Sequence, residues 1–180
     1  MINYKWLWVD CEMTGLDVSS DKLLEVACYV SDTSLAHVEQ GPDLVIQSDI
    51  DTLESMSAWC TDMHKKNGLW QMCLESSLSC ADVEKQIVDF LESTAEGKKD
   101  WILAGNSVHH DKRFLERFMP ELMSRCHYKI LDVSSVAIMM RAWTDTKPYP
   151  KKQTHRADGD ILESIAELSY FKEMIVQKGV

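Results

Sequence analysis

Trp6-Leu7-Trp8-Val9-Asp10-Cys11-Glu12-Met13-Thr14-Gly15-Leu16-Asp17 is the stretch whose reading decides the fold. The run Trp6 to Val9 is too short for a helix and rich in strand-favouring side chains, so it predicts a buried strand that ends at Asp10 and is closed by a turn at Thr14-Gly15. The period of two along a strand puts Asp10 and Glu12 on one face. Cys11 then points to the opposite face, where it reads as a small core residue. Taken alone, an acid pair at a strand end reads equally as a solvated strand terminus.

Working outward, Leu24 to Val30 and Leu44 to Ile46 are further strand candidates, the second following the breaker pair Gly41-Pro42. From Ser48 to Leu78 the pattern is mixed, with short helical stretches around Trp59 and His64. Ser79 with Asp82 forms a capping box, and Val83, Ile87, Phe90 and Leu91 keep the spacing of one helical face. Beyond the polar stretch Glu96 to Asp100, Trp101 to Ala104 predicts a strand. Gly105-Asn106-Ser107 is then the turn that opens a helix through Phe114, Leu115, Phe118 and Met119 to Pro120. Lys129 to Leu131 predicts a last short strand feeding a helix from Ser134, a good N-cap, to about Trp143. Thr144 to Thr154, with Pro148 and Pro150, is a loop. A final helix carries Ile161, Ile165 and Leu168 on one face. Three strands in succession, then strands alternating with helices, indicate one α/β domain over residues 1–180, a mixed sheet flanked by helices on both faces.

Hydrophobic residues at 45% and charged residues at 27% exclude a disordered or low-complexity chain. A net charge of −10 argues against gripping many phosphates of a long nucleic acid by charge. Cys11, Cys28, Cys60, Cys73, Cys80 and Cys126 form no C-x-x-C pair, which fits reduced intracellular thiols. No apolar run approaches the roughly 18 residues of a membrane span. The start of the chain lacks the charged and cleavable pattern of a leader, so a cytoplasmic location without membrane contact is expected. Neither G-x-x-x-x-G-K-[ST] nor G-x-G-x-x-G occurs, which leaves nucleoside triphosphate and dinucleotide cofactors without a motif.

Asp111 falls just inside a helix after a strand and turn, and Asp160 in the first turn of the last helix. Each alone is as well explained by the preference of acids for helix N-termini. With Asp10 and Glu12 they make four carboxylates at element ends that can surround one edge of the sheet. Such hard oxygen donors suit Mg²⁺ or Mn²⁺ and leave positions open for phosphate oxygens. His155 lies five residues before Asp160. An imidazole there, raised by the acids and lowered by metal, suits a general base near neutral pH. His109-His110 has no Cys or His partner at ligand spacing, and His110, directly before Asp111, reads as facing the pocket or solvent.

Trp8 to Asp17, Gly105-Asn106-Ser107 through Asp111-Lys112-Arg113-Phe114-Leu115 to Met119-Pro120-Glu121-Leu122, Tyr128-Lys129 to Leu131-Asp132-Val133-Ser134, and Thr154-His155-Arg156-Ala157 to Asp160-Ile161 with Glu163-Ser164-Ile165 together resemble the oligoribonuclease family of DEDDh 3′→5′ exonucleases. The resemblance runs from about Trp6 to Phe171. The order D-x-E-M-T-G-L, G-N-S, H-x-A-x-x-D makes it specific.

The resemblance implies a ribonuclease H-like fold and an exoribonuclease that hydrolyses very short oligoribonucleotides, dinucleotides included, to 5′-mononucleotides with two Mg²⁺ or Mn²⁺ ions. It matches Asp10, Glu12, Asp111 and Asp160 to the metal-binding acids and His155 to the general base. Leu16 becomes a wedge between bases, and Trp59 and His64 line the substrate pocket. Ser107, Lys129, Ser134 and Ser135 become a cap on the substrate's 5′ end, and Tyr128 a residue lent across a homodimer interface. Two departures stand out. Asp158-Gly159-Asp160 replaces the family's Leu-Asp-Asp run, and Lys129 stands where bacterial members have Arg, so a forked phosphate contact becomes a point charge. The alternatives are a DEDDh exonuclease acting on longer RNA or DNA 3′ ends, which the acidic charge disfavours, and a non-catalytic nucleic-acid-binding module, which the full set of catalytic residue types disfavours.

Overall fold

The computed structural model describes residues 5–94, 101–150 and 156–178. Strand β1, Trp6–Met13, runs on past Asp10, so Asp10 and Glu12 are both strand residues. Strand β2, Leu23–Ser31, lies antiparallel to it with Trp8 opposite Tyr29, Asp10 opposite Ala27 and Glu12 opposite Glu25.

Strand β3, Val38–Val45, pairs antiparallel with β2 at one edge of the sheet. It corrects the reading of Gly41-Pro42 as a breaker before the strand. The ladder puts Asp43 opposite Ala27 and Gln40 opposite Tyr29, which leaves Gly41 and Pro42 facing Cys28 as a bulge. An edge strand tolerates a proline there because the missing N–H removes no central ladder bond. The glycine is needed for close approach, since a Cβ at Gly41 would come within 2.6 Å of the Phe90 ring and 2.7 Å of Cys28 Sγ.

The five strands follow the order β3-β2-β1-β4-β5, with β4, Trp101–Gly105, and β5, Cys126–Asp132, both parallel to their neighbours on the β1 side. Helices make the crossovers that parallel pairs require. Before β4 come α1, Ile50–Glu54, α2, Ala58–Lys66, α3, Leu69–Glu75, and α4, Cys80–Thr94. Between β4 and β5 lie α5, His109–Phe118, and α6, Pro120–Met123.

Helix α4 opens with the expected capping box, for Ser79 N–H and Oγ–H donate to Asp82 at 2.9 and 2.6 Å and Asp82 N–H donates back to Ser79 Oγ at 3.2 Å. The short helices α1 and α2 are capped by Asp49 and Ser57. They and α3 bury Leu53, Leu69, Trp70 and Cys73 against Leu24.

The two faces of the sheet have different partners, and this places the site. The odd-numbered side of β1, Leu7, Val9 and Cys11, packs with Val26, Cys28 and Leu103 against α4 and α5 through Val83, Ile87, Leu91, Phe114 and Leu115. The even-numbered side starts with Trp8, whose indole N–H donates to Ser31 Oγ at 2.8 Å. Trp8 packs with Ala27, Tyr29 and Ala104 against Ile161, Ile165 and Leu168 of α8, Ala157–Lys178. Asp10 and Glu12 continue that even-numbered row, so they emerge beneath the start of α8. Helix α7, Val133–Trp143, begins earlier than expected: its N-cap is Asp132, not Ser134, because the Asp132 carboxylate accepts the Ser134 N–H at 2.9 Å. No helix among the described residues is long and apolar enough to cross a membrane.

Candidate metal centre and active site

Asp10, Glu12 and Asp160 offer carboxylate oxygens that all lie within 4.8 Å of one another. The strand supplies the first two at the end of the even-numbered row. Helix α8 supplies the third from its first turn, closed by the Asp160 N–H bonding to Arg156 O at 3.0 Å.

Burial, followed by the charges of Asp111, Glu12, Asp160 and Glu25, holds the Asp10 carboxyl well above the usual carboxylate range. Burial and the charges of Glu25 and Asp160 push Glu12 up to about 8, against the opposing pull of Arg156. Asp10 and Glu12, desolvated and repelling each other, form with Asp160 a set of three hard oxygen donors that a divalent cation satisfies.

Asp111 is buried on the first turn of α5. Its Oδ1 accepts the Cys11 N–H at 2.9 Å, which ties the helix to the strand between the two acids. Burial pushes its carboxyl up to about 7 despite that hydrogen bond. It stands outside the group of three, yet its charge is the first electrostatic cause of the Asp10 shift, so it borders the cluster. His155 lies outside the described residues, as do Glu96 to Asp100 and the end of the expected loop at 151–154.

The Asp158-Gly159-Asp160 departure has a structural answer. Asp158 turns away from the cluster, where Oδ1 accepts the Tyr29 hydroxyl at 2.6 Å and the Gln40 amide at 3.1 Å. Asp160 turns toward it.

Two residues near the centre carried no expected role. Glu25, fully buried on β2, accepts from Arg156 Nε at 3.1 and 3.2 Å and from Nη2 at 2.5 Å, and its Oε2 also accepts the Ala157 N–H at 3.3 Å. The available signal was a charged residue inside the apolar run Leu23 to Val30, because a buried carboxylate on a central strand demands a partner.

The residues expected around a substrate fall into two groups. Leu16, just after β1, is 60% exposed, and Trp59 on α2 is 67% exposed. His64 is fully buried instead, its Nε2 3.1 Å from Met13 O, so it braces the strand end and has no surface of its own.

Beyond β4, the Ser107 and Ser134 hydroxyls lie 3.1 Å apart. The Ser107 N–H donates to Asp132 Oδ1 and Ser134 Oγ, both at 3.0 Å. The Ser134 hydroxyl donates to Asn106 Oδ1 at 3.0 Å, and Asn106 bonds onward to Ser164 and Glu167 of α8. Ser107 is held at φ +50°, a costly conformation for a side chain other than glycine that persists because this network fixes it. Gly105 lets β4 approach β1, since a Cβ there would meet Val9 O at 2.8 Å. A cavity of about 440 Å³ opens beside Ser134, with Arg141 and Tyr149 on its wall. Ser135 is exposed, as are Tyr128 and Lys129, whose Nζ lies 5.8 Å from the Tyr128 ring centre.

An exonuclease family model of the RNase T type matches residues 7–168. The chain is 42% identical over 167 residues to a probable oligoribonuclease of Schizosaccharomyces pombe, covering 92% of this chain and 66% of that one. It is 41% identical over 178 residues to a probable oligoribonuclease of Caenorhabditis elegans, with 98% and 92% covered. It is 41% identical over 180 residues to the mitochondrial oligoribonuclease of Homo sapiens, with 98% and 75% covered. Among solved structures, Escherichia coli exonuclease I with a dT13 oligonucleotide superposes with a TM-score of 0.71 at 14% identity, over 97% of this chain and 42% of that one. At that identity the likeness shows the fold, a ribonuclease H-like mixed sheet with flanking helices.

Proposed function

The chain belongs to the exonuclease family that its profile match and its oligoribonuclease relatives define, and from that footing we propose that it hydrolyses very short oligoribonucleotides, dinucleotides among them, from the 3′ end to 5′-mononucleotides. The observation that carries the chemistry is the half-buried trio Asp10, Glu12 and Asp160 with oxygens within 4.8 Å of one another at the end of β1. These three would hold divalent cation, with Asp111 at the border, and two Mg²⁺ or Mn²⁺ ions would complete the DEDDh reading. Bound cation supplies an acidified water and Lewis-acid stabilisation of the attacked phosphate.

The chain's own residues do the rest. As the oxygen of the attacking water bonds to phosphorus, His155 takes its proton, the bond from phosphorus to the O3′ of the preceding nucleotide breaks, and the departing O3′ is protonated from solvent. Leu16 and Trp59 present exposed apolar surface for the bases. Ser107, Ser134, Ser135 and Lys129 contact the 5′-terminal phosphate. The Asp132 carboxylate accepts from the Ser107 and Ser134 amides, with His109 Nδ1 3.5 Å from its other oxygen, and Lys129 adds the positive charge proposed for the phosphate.

A homodimer is part of the proposal. Tyr128 on the edge strand β5 is 78% exposed, and Trp143 and Ile138 on α7 are 77% and 66% exposed, a set of large apolar side chains suited to a second copy. A cytoplasmic location is likewise proposed, supported by six cysteines that are all free thiols. The test is a 5′-labelled diribonucleotide incubated with Mg²⁺, with Mn²⁺ and with chelator. Conversion to a labelled 5′-mononucleotide only when metal is present is expected, and an intact dinucleotide with both metals overturns the reading.

A further inference from the structure

Glu12 and Glu25 face each other across the antiparallel β1–β2 pair, on the side of the sheet that α8 covers. Like charges directly opposite on a sheet repel, and Glu25 has no exposure to water that could screen it. The compensation comes from 131 residues away in sequence. Arg156, immediately before α8, lays its guanidinium on both Glu25 oxygens, and the first amide of the helix, Ala157 N–H, joins it on Oε2. The Arg156 side chain is 28% exposed, so the pair is shielded on the Glu25 side. Asp43 and Glu12 also lie close enough to hold Arg156 firmly protonated.

We propose that the Glu25–Arg156 fork is a positioning device for the catalytic centre, fixing the first turn of α8 on β2 so that Asp160 joins Asp10 and Glu12. The same turn is covalently joined to His155, and Arg156 O closes it by accepting the Asp160 N–H. Two parallel N–H to carboxylate bonds fix direction as well as distance, which a lysine ammonium does not do. Arg156 touches neither substrate nor reacting atoms. It acts through Asp160, as outer-shell partners act through the ligands they orient. The inference rests on the exonuclease reading, and it concerns what places that site's third acid.

The experiment measures Mn²⁺ binding by calorimetry without substrate, and kcat and KM on a diribonucleotide, for Arg156→Met, Arg156→Lys and the double variant Glu25→Gln/Arg156→Met. The double variant removes both charges of the pair, so it folds even where the single change leaves Glu25 buried and unpaired. Loss of an outer-shell partner is expected to weaken Mn²⁺ binding and lower kcat by about 10 to 100-fold. KM should change little, and Arg156→Lys should recover only part of the loss. The double variant should regain thermal stability but neither Mn²⁺ affinity nor kcat. Wild-type Mn²⁺ affinity and kcat in the folded double variant would overturn the proposal, because the fork would then serve stability alone. Mn²⁺ binding is read without any nucleotide, so failure of the exonuclease reading, seen as an inactive wild-type protein, is distinguishable from failure of the positioning device.

Discussion

Asp158 and Asp160 share the first turn of α8, yet one binds Tyr29 and Gln40 while the other faces Asp10 and Glu12. Asp160→Asn is therefore expected to lower kcat on a diribonucleotide by at least about 100-fold, through loss of metal and the chemistry it supplies. Asp158→Asn keeps an acceptor for Tyr29 and should stay within about threefold, well short of the loss from removing a group that acts on the metal. The two rates measured side by side check the assignment, and the reverse order would contradict it. The acids also set a pH dependence. Glu12 and Asp111 sit near 8 and 7 when folded, above their ordinary values, so the folded protein binds more protons than the unfolded chain in the window from about 4 to 8. Stability should then be fullest below that window and fall as pH rises through it. Thermal melts of chelated protein should show Tm declining from pH 5 to 8, and saturating Mg²⁺ should remove most of the decline; a metal-free Tm that rises over this range would contradict it. The acids themselves were legible, because strand period and motif spacing locate them without tertiary information. Glu25 and Arg156 were not, since their meeting depends on the β1–β2 register and on α8 crossing that face.

At the level of elements, apolar runs and the Ser79 capping box announced β1, β2, β4, α4 and the closing helix. The reading failed where tertiary context outweighed local signal. Gly41-Pro42 breaks an interior strand, but β3 is an edge strand and absorbs the pair as a bulge. Helices α1 to α3 could not be delimited because each is only a few turns long, held by caps and by packing on Leu24 rather than by a sustained periodic face. The bulge carries its own prediction. Gly41→Ala would push a methyl into Phe90 and Cys28, so a destabilisation of about 1 to 3 kcal/mol is expected, the usual scale of overpacking. Urea unfolding measures it, and an unchanged midpoint would mean that the bulge yields freely.

The whole molecule is acidic, with a net charge of −10, and this limits how it can hold a substrate. On the function proposed above, affinity comes from bound cation, from Leu16 and Trp59, and from a few contacts to one terminal phosphate. Lys129→Ala is expected to remove most of the advantage of a 5′-phosphorylated over an unphosphorylated dinucleotide, about 1.5 to 3 kcal/mol in kcat/KM, the scale of a hydrogen bond to a charged group. Equal loss on both substrates would refute the cap. The limit on length is the central claim, and one competition tests it most directly. A 5′-labelled diribonucleotide and a 5′-labelled RNA of about 20 nucleotides, long enough for the ~6 to 10 phosphate contacts of a charge-based grip, are mixed in one tube with Mg²⁺ and enzyme and followed together. The dinucleotide is expected to be consumed to mononucleotide while the longer RNA stays essentially full length, whereas shortening of the long RNA at the rate of dinucleotide loss would contradict the limit on length.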